Sequence, residues 1–306
     1  MHTRRSFIYD TTAYATTGLL LNSLIGCKAT KKLVIPADAA YNMKYLRGSV
    51  GFFTERGGTI GWYAHKDGIA VVDTQFPEQS QHLIEQLHTL QTSPIDALIN
   101  THHHGDHTAG NIAYKELTTR IIAHTNSKKN QAATAVKRGT EDQQLYPTEI
   151  FSDKLTVKVA AETIELSYYG AGHTDGDAIV HFTKANVVHM GDLIFNRRFP
   201  YIDKGAGASI SNWVAILDKV DRNYEDDTLF IFGHSANGYD ITGEKEDIKA
   251  FKNYLESLLV FGQSSIKAGK SLDEVKASTT EIPGAPEWQG KGISRSLDAV
   301  YKELQS

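Results

Sequence analysis

The feature that most constrains this chain is a histidine-rich segment at the end of an apolar run. Residues 95–100 (IDALIN) have the composition of a buried strand, and residues 101–107 follow directly as THHHGDH. Four histidines and one aspartate within six residues are costly in an ordinary core or on an ordinary surface. Imidazole and carboxylate groups together are ligands for zinc or iron, so we expect a metal site at the end of this strand.

The spacing inside this segment predicts positions for two ions. Side chains two apart in an extended chain point the same way, so His102 and His104 are predicted to face one ion. After a turn at Gly105, Asp106 and His107 would face a second position. Two metals about 3.5–4 Å apart would result. His103 points to the opposite side in this interpretation and is expected to be structural.

Three later segments each end a predicted strand and add one more candidate ligand. The ligands are His173, Asp192 and His234. Each of them follows a glycine directly, which removes a side chain where the backbone must come close to the site. The set of segments is therefore far more specific than any one of them.

Strand hairpins and βα units occur in both halves of the chain and predict its architecture. Residues 59–64 and 69–73 predict a hairpin that turns at 66–68, and a helix is predicted from Pro77 to about residue 90. Further helices are predicted at about 209–221, 244–268, 271–279 and 292–304. This order of elements predicts an α/β protein with two mixed β-sheets packed together and helices outside.

The N-terminus has the layout of an export signal. The pair Arg4 and Arg5 precedes an apolar stretch, residues 13–26, that is too short to span a bilayer, which needs about 20 apolar residues. The arginine pair resembles a twin-arginine signal, and residues 24–27 (LIGC) resemble a lipobox that is lipidated at Cys27.

These signals divide the chain into three parts. We expect residues 1–26 to be a signal peptide, 27–47 a tether and lead-in segment, and 48–306 the domain that carries the metal site. The protein would then be exported, periplasmic or at the cell surface, and would touch the membrane only through a lipid anchor on Cys27.

Composition excludes several classes of protein. The single cysteine permits neither an internal disulfide framework nor a cysteine-rich zinc site. A net charge of −4 without long single-sign runs argues against a nucleic-acid binder. We expect a small-molecule substrate and no nucleic-acid partner, and the sequence carries no signal of oligomeric state.

The motifs T-H-x-H-x-D-H, G-H-T, G-D and G-H-S, in this order over about residues 48–240, resemble those of the metallo-β-lactamase superfamily. The resemblance implies an αββα sandwich with a two-metal site on one edge. It implies that His102, His104 and His173 hold one metal, that Asp106, His107 and His234 hold the other, and that Asp192 bridges them. It also implies that Asp73, at the end of strand 69–73, orients site histidines from behind the ligands.

These residues lead us to expect a dinuclear-metal hydrolase. Two zinc ions, with iron or manganese as alternatives, would lower the pKa of a shared water. The resulting metal-bound hydroxide would attack an ester, lactone, thioester or β-lactam-type carbonyl. Asp106 would both ligate and accept a proton. Arg197 and Arg198 are candidates to bind a substrate carboxylate, and Tyr201 is a candidate oxyanion donor.

The aspartate at position 192 leaves the substrate open. β-Lactamases of this superfamily usually carry cysteine or serine there, and a bridging aspartate resembles thioester hydrolases of the glyoxalase II kind, lactonases and other dinuclear hydrolases. Export disfavours glyoxalase II, because glutathione thioesters are cytosolic, and keeps β-lactam hydrolysis in contention. The alternatives are a β-lactamase proper, a mononuclear iron enzyme like the persulfide dioxygenases, and a non-catalytic metal-binding lipoprotein.

Overall fold

Apolar side chains alternate along the strands and bury both faces of two sheets. The computed structural model describes residues 33, 35–36, 38–91 and 93–305, and residues 32–306 form one unit. The predicted signal peptide, the anchor at Cys27 and the first part of the predicted tether lie outside the described residues. Among the described residues, no helix is long and apolar enough to cross a membrane.

The first sheet has seven strands that lie side by side in chain order. The first four are antiparallel neighbours, and the fourth to the seventh are parallel to one another. They are β1 (Asn42–Arg47), β2 (Val50–Thr54), β3 (Ile60–His65), β4 (Gly68–Val72), β5 (Ile95–Asn100), β6 (Ile121–His124) and β7 (Glu149–Phe151).

The second sheet has six strands and is also mixed. Its members are β8 (Lys154–Val159), β9 (Glu162–Ser167), β10 (Ile179–Phe182), β11 (Val187–His189), β13 (Leu229–Ile231) and β15 (Thr242–Gly243). Their order across the sheet is β15-β13-β11-β10-β9-β8, and only β11 and β13 run parallel. A separate parallel pair joins β12 (Phe195–Asn196) to β14 (His234–Ser235).

Helices cover the outer face of each sheet. They are α1 (Pro77–Leu90), α2 (Gly105–Thr108), α3 (Thr125–Arg138), α4 (Ile210–Asn223), α5 (Lys245–Lys267), α6 (Leu272–Ser278) and α7 (Ile293–Leu304). Leu83 and Leu87 of α1 share a buried cluster with Val71 on the outer face of β4. Trp213 of α4 and Phe251 of α5 pack in the cluster outside the second sheet.

The interior between the sheets completes the sandwich. Alternate residues of β4, Ala70 and Val72, point inward and cluster with Val180 and Phe182 of β10. The order of layers is therefore helix, sheet, sheet, helix, and the predicted αββα sandwich of two mixed sheets is confirmed.

Three elements differ from the sequence prediction. Strand β1 occupies residues that were expected to be tether and lead-in, because Met43 buries its side chain and β1 pairs along β2. The first sheet therefore begins at Asn42, inside the predicted lead-in segment. Helix α3 and strand β7 were not predicted; α3 buries only Ser127, Gln131 and Ala135, so its sequence lacks an apolar period.

Candidate metal centre

The candidate ligands are brought together because parallel strands end at a common edge. In the first sheet, β4 and β5 are parallel neighbours, and Asp73 and residues 101–107 follow their carboxyl ends. In the second sheet, β11 and β13 are parallel neighbours that lead into Asp192 and His234. Side chains from both sheets therefore meet at one rim of the sandwich, the usual place for a site in a sheet with parallel strands.

One group of donor atoms consists of three imidazoles and a carboxylate. The Nε2 atoms of His102 and His173 lie 3.1 and 2.9 Å from Nδ1 of His104. Oδ2 of Asp192 lies 3.4 Å from Nε2 of His173 and 3.8 Å from Nε2 of His102. The four atoms form a cluster with the spacing of metal ligands, and we call these residues the inner group.

The hydrogen bonds behind the rings of the inner group leave lone pairs pointing inward. Nδ1 of His173 donates to the carbonyl oxygen of Tyr201 at 2.7 Å, and Nε2 of His104 donates to Oδ2 of Asp203 at 2.9 Å. Burial lowers the pKa of His173 to about 3, so this ring is neutral. Its Nε2 and Nδ1 of His104 therefore face each other as two acceptors, an arrangement that a cation between the side chains resolves.

The second group lies beside the first. Nε2 of His234 is 3.2 Å from Oδ2 of Asp106, and Nε2 of His107 is 3.9 Å from the same oxygen. The three side chains also have the spacing of metal ligands, and we call them the outer group. Burial would lower the pKa of His107, but the carboxylates of Asp192 and Asp73 raise it well above its usual value.

Asp192 stands between the groups with one oxygen toward each. Its Oδ2 faces the inner group, while its Oδ1 lies 3.0 Å from Nε2 of His107 and 3.4 Å from Nε2 of His234. Burial would raise the pKa of this carboxyl, but the imidazoles of His234 and His107 hold it well below its usual range. An ionised carboxylate in this position can be shared by two ions.

Glycine is required where the backbone passes this carboxylate. A Cβ atom on Gly233 would lie 2.0 Å from Oδ1 of Asp192. Gly191 has a φ of +50°, and a Cβ atom there would lie 2.6 Å from Oγ1 of Thr101. Gly172 is also crowded, by Leu193 at 2.7 Å. The predicted reason for these glycines, a close approach of the backbone to the site, is confirmed at Gly233, whereas Gly191 and Gly172 make room for neighbours that are not candidate ligands.

Asp73 holds the 101–107 segment from behind. Its Oδ2 accepts from Nδ1 of His107 at 2.8 Å and from Oγ1 of Thr101 at 2.7 Å, and its Oδ1 accepts from the Thr101 amide at 2.8 Å. Asp73 has a φ of +64°, a conformation that costs about 1–3 kcal/mol in a non-glycine residue. These three hydrogen bonds offset that strain, and the contact with His107 matches the predicted orienting role.

Asp203 has a similar function that the sequence did not reveal. Its Oδ2 accepts from His104, and its Oδ1 accepts from the backbone amides of Gly205 and Ala206, both at 3.0 Å. Ninety-nine residues separate Asp203 from His104. The only local signal is an aspartate before a glycine-containing turn, which indicates a capping residue and not a partner of a distant histidine.

His103 belongs to neither the inner nor the outer group, but with His104 and Asp203 it forms a third cluster with the spacing of metal ligands. Its Nε2 is 4.0 Å from Oδ2 of Asp203, and its ring packs against that of His104 with centroids 4.4 Å apart. Burial lowers the pKa of His103 to about 4, so the ring is a neutral packing group.

A cavity of about 820 Å³ opens over the outer group. Asp106, Asp192 and His234 lie in its wall together with Phe76 and Phe195. The side chain of Asp106 is 32% exposed, which is the largest exposed fraction among the seven predicted ligands. His104 and Asp192 of the inner group also line the cavity, so a substrate in it would lie beside both groups, with Asp106 the most exposed ligand.

Two of the three predicted substrate contacts line this cavity. They are Arg198 and Tyr201. Arg197 is not among the residues that line this cavity: its guanidinium donates to Oδ1 of Asp247 and Oδ1 of Asn196, each at 2.8 Å, and packs over Trp288. This arginine holds α5 against the loop after Asp192.

Relatives in sequence include proteins with different reactions. Metallo-beta-lactamase IND-1 of Chryseobacterium indologenes is 27% identical over 175 residues, which are 55% of this chain and 68% of that protein. The α subunit of a 2,4-dinitroanisole O-demethylase from a Nocardioides species is 28% identical over 131 residues, 42% of this chain and 38% of that protein.

Solved structures support the fold. A sec-alkylsulfatase from a Pseudomonas species has a TM-score of 0.64 at 14% identity and covers 82% of this chain and 48% of its own. A metallo-beta-lactamase from Pontibacter korlensis has a TM-score of 0.58 at 16% identity and covers 71% and 99%. The chain thus spans about two thirds of the first lactamase and half of the alkylsulfatase.

The match to the family as a whole covers the site. The sequence profile of the metallo-beta-lactamase superfamily matches residues 53–234, more than half of the chain, from the middle of β2 to the last histidine of the outer group. With the sandwich and the converging donor atoms, this match shows that the chain belongs to the metallo-β-lactamase superfamily.

Proposed function

We propose that the protein is a two-metal hydrolase that cleaves a carbonyl-type bond in an ester, lactone, thioester or β-lactam. The observation that carries this proposal is Asp192, whose two oxygens face two separate clusters of donor atoms. Divalent ions held there would polarise a carbonyl and lower the pKa of water from about 15.7 toward about 7.

Side chains around the two ions would supply the other parts of this mechanism. The inner group is buried and fixed by hydrogen bonds from behind, so it holds its geometry before substrate binds. Asp106 stands at the open side, where its carboxylate can accept a proton from an attacking water. Phe76 and Phe195 would exclude water from part of the cavity wall, and Tyr201, which lines the cavity, would donate from its hydroxyl toward a developing oxyanion.

The test is a panel of substrates with the full-length protein loaded with zinc, manganese or iron. A chromogenic cephalosporin, a lactone, a 4-nitrophenyl ester and a thioester cover the carbonyl classes. A 4-nitrophenyl sulfate is added because the alkylsulfatase likeness covers 82% of the chain and the lactamase likeness covers 71%. Turnover of about 10 per second on one carbonyl substrate, lost in Asp106→Ala, supports the proposal.

Asp153→Ala is the matched control, since Asp153 is exposed and does not line the cavity. Equal losses in both variants, or turnover that survives complete metal removal, would contradict a metal-dependent hydrolase. Turnover of the cephalosporin would identify a β-lactamase that works with a bridging aspartate.

Metal content separates the alternative functions. A mononuclear iron dioxygenase predicts a single bound iron and consumption of oxygen. A non-catalytic metal-binding protein predicts full occupancy with no turnover on any member of the panel. We favour two ions because both donor groups share Asp192. Zinc, manganese and iron all suit this ligand set.

We also propose that the protein is exported by the twin-arginine route and anchored through a lipid on Cys27. The proposal rests on residues 1–27, which lie outside the described part of the chain. Cells that express the protein with a labelled fatty acid should yield a labelled membrane-bound form, and Cys27→Ala should abolish the label. A label that persists in this variant would contradict the anchor.

A further inference from the structure

Positively charged side chains from α3 and α7 line one side of the cavity, and none of them is a candidate metal ligand. Lys137 and Arg138 form the end of α3, Arg295 lies at the start of α7, and all three line the cavity. Each is exposed, and none has an acidic side-chain partner among the described residues. The acids of the same cavity, Asp106, Asp192 and Asp203, are occupied by imidazoles.

The position of Arg295 is unfavourable for its own helix. It is the third residue of α7, within the first turn, where the positive end of the helix dipole disfavours a cation. Lys137 and Arg138 sit at the C-terminal end of α3, where cations do stabilise a helix. Helix stability therefore accounts for the α3 pair but not for Arg295.

Aromatic contacts connect Arg295 to the inner group. Its guanidinium lies 5.5 Å from the centre of the Tyr201 ring, and that ring lies 5.4 Å from the ring of His104. A guanidinium held near a ring face can keep its N–H groups directed to the side, where a ligand in the cavity can accept from them. Ser296, next in α7, donates to the carbonyl of Pro200, which keeps this helix against the loop that carries Tyr201.

Arg138 lies on the opposite helix of the same cavity wall. It is the last residue of α3, and it lines the cavity together with Arg295 and Tyr201. Cations from two different helices therefore face one cavity. Two guanidinium groups so placed offer several N–H donors to a carboxylate, with geometry that a lysine ammonium does not supply.

We propose that Arg138 and Arg295, assisted by Lys137, form a subsite for the carboxylate of an anionic small molecule. This inference rests on the proposed function only in taking that molecule to be the substrate. The reacting carbonyl would lie over the outer group, and the carboxylate would lie on the α3–α7 side. The subsite is distinct from Arg198, which lines the cavity from the loop after Asp192.

The test measures binding and needs no turnover. N-phenylsuccinamate, which carries a carboxylate, and its uncharged methyl ester are titrated into zinc-loaded full-length protein. The same titrations follow for Arg138→Gln and Arg295→Gln, with Arg222→Gln as matched control, because Arg222 is exposed at the end of α4 and lies outside the cavity. The metal content of every variant is measured first, so that a carboxylate bound by the metals alone contributes equally to all.

We expect the anion to bind at least about tenfold more tightly than the ester. Each of the two cavity variants should weaken binding of the anion by about tenfold, the change expected for a lost charge-assisted hydrogen bond. Binding of the ester should change by less than about twofold, and Arg222→Gln should change neither. Equal affinity for the two probes, or a loss no larger than that of Arg222→Gln, would overturn the subsite.

A second pair of probes keeps this inference separate from the proposed function. These probes are 4-nitrophenyl hydrogen succinate and its methyl ester, assayed for metal-dependent hydrolysis. Hydrolysis without any preference for the anion in binding supports the hydrolase and rejects the subsite. A clear arginine-dependent preference in binding without hydrolysis supports the subsite and counts against the hydrolase.

Discussion

The inner and outer groups use the same residue types but are held differently. In the inner group the rings of His102 and His173 are buried, and all three histidines are hydrogen-bonded on the nitrogen that faces away from the centre. In the outer group only His107 has such a recorded partner, Asp73, and the side chain of Asp106 is 32% exposed. The inner group is thus more fully preorganised, while the outer group contributes the most exposed ligand of the cavity wall.

This difference predicts different roles for the two metal positions. Ligands that are already oriented lose little conformational freedom when a metal binds, so the inner group should hold its ion more tightly. Ligands beside the cavity exchange more readily with water and substrate, so the outer group should dominate the chemistry. Five substitutions can break or sharpen this comparison.

Asp192→Ala should have the largest effect, because it removes the one carboxylate that both groups share. We expect less than one bound ion per chain and turnover at least about 1,000-fold lower, equivalent to roughly 4 kcal/mol of transition-state stabilisation. Elemental analysis and steady-state kinetics measure both, with Asp153→Ala as control. Retention of two ions would show that Asp192 is not a bridge.

Asp106→Ala should impair the outer group and leave the inner group intact. It removes a ligand from the exposed edge and no core volume, so the fold should persist and the inner ion should stay bound. Turnover should fall below a tenth of the wild-type value, because the substitution removes both a ligand of the outer ion and the proposed proton acceptor. His102→Ala should instead release the inner ion. A variant at position 106 that keeps more than a tenth of the activity would contradict the two-metal mechanism.

Asp203→Asn should weaken the inner group without removing a ligand. The amide oxygen can still accept from the Gly205 and Ala206 backbone, but the charge that orients His104 is lost. Partners of this kind are worth about 10–100-fold in metal affinity. Competition with a chelator should show that loss for one ion and no change for the other. An equal loss at both positions would point to a disturbed loop.

His103→Ala should have the smallest effect. The ring faces Asp203 and packs beside His104, outside both groups. We expect two bound ions and turnover within about threefold of the wild type, since a packing group contributes mainly to stability. Loss of an ion in this variant would show that the ligand assignment is wrong.

The regular elements could be predicted because their signals are local. Pro77 and the apolar period of α1 predict a helix over the residues that the structure assigns to it, and the 95–100 strand has the same bounds in both. Helix α3 was not predicted because its sequence is mostly polar. Strand β1 escaped because its partner is needed to distinguish a strand from a lead-in segment.

The ligand residues of the candidate site could be predicted from the sequence, but the residues that orient them could not. His102, His104, Asp106 and His107 share one short segment, so backbone geometry alone brings them together. Arg197 was assigned to substrate because an exposed arginine and one paired with Asp247, 50 residues away, look alike in sequence. Asp203 was missed for the same reason, since its partner lies in another part of the chain.

The sequence by itself therefore determined the family, the layers of the sandwich and the residues that converge at its rim. Periodicity and short motifs involve only a few neighbouring residues, so they can be read from the sequence alone. Only the tertiary structure decided which oxygen of Asp192 faces which group, which histidine each carboxylate orients and which arginines remain free above the cavity. Those choices depend on where separate segments meet, and that is set by packing of the two sheets and their helices.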